Sequence, residues 1–437
     1  MLAIAIPMVL SNATVPLVGI ADTAVMGQLD DPALIGGVAL GSTIFSMLFW
    51  AFGFLRMGTT GLTAQAAGAG DHGEIAANLY RALLIAAGAG ALLFALHVPA
   101  ILLIMQLTGG SAEVQTATAD YFGVRIWSAP ATLANYALVG WVIGLARANL
   151  ALVLQLFLNI VNIALAVALV LFAGKGVKGA AMAAVLAEYA ALIAGLFIAR
   201  RLLIANRGAK VAVFEPRAFR KLIAVNGDIM IRTICLLFAF TFFAMQGARL
   251  GDVALAANSV LRSLSDLSAF VLDGFAFAAE VLVGQAVGAG SAARFRQAVS
   301  LSSIWAAALA VIVSLAFWAG GLLLINLMTT TPSVRHAAHE FLPWAVMTPI
   351  VGVACFQLDG IFIGATRTAD MRNMMIVSLA LFIAAWALLT PAFGNHGLWA
   401  SLMVFYAARA VTLGARYPAL ELSVMAKRRE PAATSAS

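Results

Sequence analysis

The 437-residue chain is 63% hydrophobic and only 10% charged, with a formal net charge of +7, where a soluble globular domain carries about 25% charged residues. No water-soluble fold hides that much apolar surface. An ATP-driven pump carried on this chain alone is also excluded, because a nucleotide-binding domain needs about 100 to 200 residues and the sequence has no GxxxxGK[ST] phosphate loop.

In chain order, apolar runs occupy 2–27, 33–66, 76–107, 114–145, 148–173 and 178–203, then 222–249, 253–286, 296–328, 337–365, 372–392 and 396–425. Each accommodates a helix of about 20 residues that crosses a bilayer. The chain is therefore predicted to be an all-α integral membrane protein of twelve transmembrane helices. The first run has no basic segment before it and contains Pro7, Pro16 and Asp22, which reads as a true span rather than a cleaved signal peptide. Cys235 and Cys355 each sit inside a long apolar run and read as small core residues rather than a disulfide or metal pair.

The one hydrophilic connector of any length, 204–221, lies near the midpoint, and a repeat crosses it. Gln65-Ala-Ala-Gly-Ala-Gly70 recurs as Gln285-Ala-Val-Gly-Ala-Gly290, and Gly140-Trp-Val-Ile-Gly-Leu-Ala-Arg147 recurs as Gly360-Ile-Phe-Ile-Gly-Ala-Thr-Arg367, both offset by 220 residues. The predicted organisation is an N-terminal six-helix bundle at 1–203, a cytoplasmic linker at 204–221, a C-terminal six-helix bundle at 222–425 and a cytoplasmic tail at 426–437. Six is even, so both halves start on the same side of the membrane. Parallel repeats of this kind enclose a central cleft.

Of the 26 Lys and Arg residues, 17 fall in loops and tails that are cytoplasmic if the N-terminus is inside, and 4 fall in the outer loops. That bias predicts a multi-pass inner-membrane protein with both termini cytoplasmic. The basic cluster at 200–221 is an orientation signal and lipid-headgroup contact rather than a nucleic-acid site. Cysteine labelling checks the topology: residue 208 should react from the inside and residue 111 from the outside. Periplasmic labelling of a cysteine at Gly208 in correctly inserted protein would overturn it.

Ionisable groups at bilayer depth cost about 2.5 to 3.5 kcal/mol on insertion scales and mark candidate sites. Those well inside spans are Asp22, Glu188, Asp266, Asp273, Glu280 and Asp359, with Asp228 nearer a span end. A cleft lined by carboxylates suits cationic substrates and can exchange protons or sodium. Pro16 lies six residues before Asp22 and permits a bend in the first helix, since its missing N–H frees a carbonyl. Asn159 and Asn162 share one face of the fifth span with Ala166, placed to ligate a cation or hydrogen-bond Asp22. His336 and His339, followed by Glu340, lack the HExxH order and are not taken as a metal site.

The stretch Ile6 to Gly27, IPMVLSNATVPLVGIADTAVMG, and Arg56 to Gln65, RMGTTGLTAQ, resemble the multidrug and toxic compound extrusion (MATE) family, and within it the DinF-type branch. Asn226-Gly-Asp-Ile-Met-Ile-Arg232 and Leu358-Asp-Gly-Ile-Phe-Ile-Gly-Ala-Thr-Arg367 carry the same likeness into the second half. The resemblance implies a V of two six-helix bundles and an antiporter that expels amphipathic, often cationic compounds in exchange for protons or sodium. Asp22 matches the family's first-helix acid, Asp359 the tenth-helix acid of some branches, and Asn162 a polar position on the fifth helix. The DinF-type pattern continues to an aspartate where this chain has Ala166. Glu188 on the sixth span is then the other amino-half acid at depth, expected beside the fifth span across a helical hairpin.

The resulting expectation is a secondary active multidrug exporter working by alternating access. Asp22, Asn159, Asn162 and Glu188 serve ion coupling, Pro16 acts as hinge, and Asp273, Glu280 and Asp359 form a cation-attracting substrate wall. Its partners are a small-molecule substrate and membrane lipids, with no nucleic acid, no cofactor beyond the coupling ion, and a monomeric state. A lipid-intermediate flippase of related architecture is the alternative, although it would want a cationic cleft. A membrane-embedded enzyme is less favoured, because no two of the five histidines pair inside a span.

Overall fold

The computed structural model describes residues 1–29, 31–107, 111–204 and 211–427, apart from the side chains of 15–18, 20, 22, 23, 29, 103–107 and 427. Its helices are α1 (Leu2–Met26), α2 (Pro32–Ala51), α3 (Phe54–Ala69), α4 (His72–Ala95), α5 (His97–Leu107), α6 (Ala112–Arg125), α7 (Ala129–Gly144) and α8 (Ala148–Ala166). They continue as α9 (Gly176–Ile204), α10 (Pro216–Arg249), α11 (Asp252–Gly288), α12 (Ala292–Met328), α13 (Pro332–Gly364), α14 (Thr368–Gly414) and α15 (Tyr417–Lys427). Among the described residues, 10 helical segments are long and apolar enough to cross a membrane. The last of them, Thr368–Ala426, holds two of the expected spans. Pro391 and Gly394, whose φ of 55° is left-handed, break α14 between them. With α1 as the first, all twelve apolar runs coincide with helix.

The linker is shorter than expected. Residues 216–221 already belong to α10, because Pro216 takes the first helical position, where a missing N–H costs nothing. What precedes it is tied down: Arg81 of α4 is fully buried. It donates to the backbone carbonyls of Ala212 (2.5 Å) and Val213 (2.8 Å) and to Glu74 (2.7 Å).

The chain forms two compact units, one comprising Met1–Val9, Ala64–Gly70 and Ile223–Ser437, the other Leu10–Thr63 and Asp71–Leu222. In the first unit the repeated Gln-Ala-x-Gly motifs lie against each other. A Cβ on Gly68 would collide with the backbone carbonyl of Gln285, and one on Gly288 with that of Gln65. Only hydrogen at both positions lets the backbones approach so closely. Gln65 then donates to the Gly364 carbonyl at 2.9 Å and to Thr366 Oγ1 at 3.1 Å. Away from this crossing, Phe243, Phe382, Trp399 and Phe405 belong to the hydrophobic core of the unit. In the second unit Phe45 stacks on Phe122 with centroids 4.8 Å apart, and buried Trp141 donates to the Ile75 carbonyl at 2.8 Å.

The 220-residue repeat extends to backbone detail. Gly70 and Gly290 both have positive φ, and the next residues cap the following helices: Asp71 accepts from Glu74 N, Ser291 from Arg294 N. Ala146 (φ 59°) and Thr366 (φ 54°) occupy the left-handed position at the ends of α7 and α13. Each helix closes with the same pair of bonds, from Ala146 to Ile143 and Arg147 to Val142, and from Thr366 to Ile363 and Arg367 to Phe362. This double closure satisfies the terminal carbonyls, at a backbone cost that a non-glycine residue rarely accepts.

Candidate functional site

Each half of the chain carries one constellation of buried polar side chains. In the first, Asn159 and Asn162 of α8 are 6% and 5% exposed and Ala166 is buried, whereas Ile160 points outward at 65%. The three small or polar residues thus share one inward face, as their spacing predicts. Asn159 Nδ2 donates to Thr14 Oγ1 of α1 at 2.9 Å, and Asn159 Oδ1 accepts from Gln155 at 3.0 Å. Thr14 in turn donates to the Ser11 carbonyl at 2.7 Å. The amide expected to ligate a cation or meet Asp22 is therefore engaged with α1 two residues before Pro16. The backbones of Pro16 and Asp22 lie in α1; their side chains fall outside the described residues. Asn162 Oδ1 is buried without a hydrogen-bond partner. Immediately after Ala166 the helix widens into a π-helical segment, Val167–Phe172, a form that concentrates at functional positions.

Glu188 lies near the middle of α9 and is 8% exposed. The expected hairpin forms, with α9 packed on α8, while the hydrogen-bond partner of Glu188 is on α7. Asn135 Nδ2 donates both to Glu188 Oε2 at 2.8 Å and to the Glu188 backbone carbonyl at 2.9 Å.

The second constellation centres on Asp359 of α13, 6% exposed. Its Oδ2 accepts from Arg232 of α10 and from Arg409 of α14, the latter at 2.6 Å. Both arginines are buried. Phe356, Phe405 and Tyr406 surround the Arg409 guanidinium at 5.6 to 6.0 Å, which adds cation–π attraction. Two guanidinium groups on one carboxylate leave it no uncompensated negative charge, so a cation-attracting role for Asp359 does not follow from this geometry. Asp273 and Glu280 stand on α11, seven residues apart on one face, with Asp273 half-buried and Glu280 fully buried. Asp228 accepts from Thr368 (2.9 Å) and Arg372 (2.6 Å). Asp266 pairs with Arg262 at 2.8 Å, and that arginine covers the Phe240 ring at 4.0 Å.

No site role is assigned from the sequence to Arg232, Arg409, Asn135 or Thr14. A signal existed for the arginines: a cation inside an apolar run requires a buried counter-charge, and Arg232 and Arg409 both lie in such runs. Nothing in the sequence marks Asn135 or Thr14, since one amide or hydroxyl in a helix is ordinary.

A family model described as MatE matches residues 7–168 and 229–387. The chain is 44% identical over 422 residues, 94% of its own length and 90% of the relative's, to DNA damage-inducible protein F of Escherichia coli (strain K12). It is 25% identical over 446 residues, covering 95% and 92%, to a probable multidrug resistance protein NorM of Xanthomonas campestris pv. campestris. The fold superposes on a crystal structure of a eukaryotic MATE transporter with a TM-score of 0.84 at 17% identity, covering 98% of this chain and 97% of that one. A match that spans both halves, on a helical membrane fold shared with solved transporters, makes the chain a member of the MatE family, a multi-pass membrane transporter and not an enzyme.

Proposed function

We propose that the protein is a secondary active exporter that antiports amphipathic, often cationic compounds against protons or sodium by alternating access. It works in the inner membrane with both termini cytoplasmic. The observation that carries this reading is the bond from Asn159 to Thr14, next to Pro16. It fastens α8, one turn before Asn162 and two before the π-helical segment, to α1 beside Pro16, the second of the two prolines at which that helix can bend. An ion that binds the straight and bent forms of α1 unequally shifts the population between them, which is what coupling requires. Asp22, two turns beyond Thr14 on the same helix, is the coupling acid. Asn162, with its buried oxygen, assists it. In the C-terminal half, Asp273 and Glu280 are the candidate cation-facing acids, and Asp359 acts through its arginines. The relative named as a probable multidrug resistance protein supports the substrate class.

The test is reconstitution into vesicles with proton and sodium gradients imposed separately. Asp22→Asn should abolish gradient-driven export of a cationic dye while leaving detergent unfolding within about 0.5 kcal/mol of wild type, as for a change that keeps shape. An Asp22→Asn protein that still exchanges ion for dye at the wild-type ratio would remove Asp22 from the mechanism.

A further inference from the structure

We propose that Glu188 carries a coupling proton, held in place by Asn135, and that this site selects protons over sodium. The inference rests on the antiport reading and names its ion. Glu188 stands 12 residues from the start of α9 and 16 from its end, so it sits near the centre of a helix about 44 Å long. None of the ion pairs among the described residues includes it. Asp359 and Asp228, also buried, are each bonded to arginine. Protonating those two would forfeit charge-assisted bonds. Protonating Glu188 breaks no ion pair: one carboxyl oxygen keeps accepting from Asn135, as a weaker bond once the charge is gone, while the other takes the proton.

The orientation of the Asn135 amide decides against sodium. Its Nδ2 serves two acceptors at once, the Glu188 backbone carbonyl and the Glu188 carboxylate. Turning the amide over would aim its oxygen at that carbonyl, so the N–H side is fixed toward Glu188. A hard cation needs several oxygen ligands converging on it. Here the nearest amide offers hydrogens instead. A proton needs only a carboxylate oxygen.

The charged and titratable groups facing Glu188 are few. Arg125 at the end of α6 acts on it through space, as does Tyr136 of α7, which Arg56 also faces. Arg125 Nε and Nη1 are buried without hydrogen-bond partners, so a cation stands near Glu188 without clamping it. The other helices packed on α9, namely α2 and α8, contain no charged residue. Loss of the proton therefore leaves the carboxylate with one counter-charge at a distance.

The experiment uses the full chain in detergent and in vesicles, with tetraphenylphosphonium as probe. Wild type should release protons as the probe binds, and a proton gradient alone should drive its movement. Glu188→Gln, which keeps the contact with Asn135, should lower proton-driven accumulation about tenfold, a coupling-sized effect, and reduce the protons released per probe bound. Glu188→Asp should restore part of both. Asn135→Ala should displace the midpoint of the pH profile by about half a unit or more while maximal transport persists, whereas a merely structural role would lower the maximum at an unchanged midpoint. Wild-type accumulation and proton release in Glu188→Gln would overturn the assignment. A wild type driven by sodium alone would leave the antiport reading standing and overturn the proton. A wild type driven by neither gradient would overturn both.

Discussion

Asp359→Asn should destabilise the folded protein by about 3 to 5 kcal/mol, the usual cost of stripping the partner from a buried ion pair. The substitution preserves shape but leaves Arg232 and Arg409 facing each other across α10, α13 and α14, both buried. Arg409→Met should cost less, since Asp359 keeps Arg232. Arg232→Met combined with Asp359→Leu and Arg409→Met should recover most of the loss, because apolar replacement of a whole buried charge cluster is often neutral or stabilising. Thermal unfolding in detergent gives the ranking. Transport adds a second reading: Asp359→Asn should impair cationic and neutral substrates alike, as a structural element does. Selective loss of the cationic class would mean that the carboxylate, despite its two guanidinium partners, presents charge to the substrate. Unchanged melting would mean that another acid compensates the arginines.

Gly68→Ala and Gly288→Ala should each cost about 1 to 3 kcal/mol, the range for overpacking, and the double variant should fail to accumulate as folded protein. In each case the new methyl meets a backbone carbonyl, of Gln285 or of Gln65, and a backbone cannot rotate aside as a side chain does. Separating the two helices of the crossing also stretches the bonds from Gln65 to Gly364 and Thr366. Gly320→Ala is the control. A Cβ there meets nothing within 4 Å, and alanine is the better helix former, so it should be neutral or slightly stabilising. Equal effects at Gly68 and Gly320 would show that helix propensity, and not the close approach, governs these positions.

The difference between what was readable and what was not can be followed in single residues. The twelve apolar runs, the 220-residue repeat and the inward face of Asn159, Asn162 and Ala166 were all visible in the amino-acid order. Hydropathy and helical periodicity are local properties, and lipid forces every backbone group of a span to bond within its own helix. The helical character of 216–221 is not legible from hydropathy, because a charged helical turn has the composition of a linker. Asp359 is the sharper case. It stood out as an intramembrane acid, but its charge is answered by Arg232, 127 positions earlier, and Arg409, 50 positions later. Glu188 likewise finds Asn135, 53 positions away on α7, rather than a partner on the adjacent α8. The sequence by itself thus determined the class of the molecule, its spans, its duplication and which residues are costly at depth. The tertiary structure alone decided which of those acids is paired directly with arginine and which is held by an amide with an arginine acting through space, because charge compensation acts through space over a few ångströms and depends on which helix faces pack together.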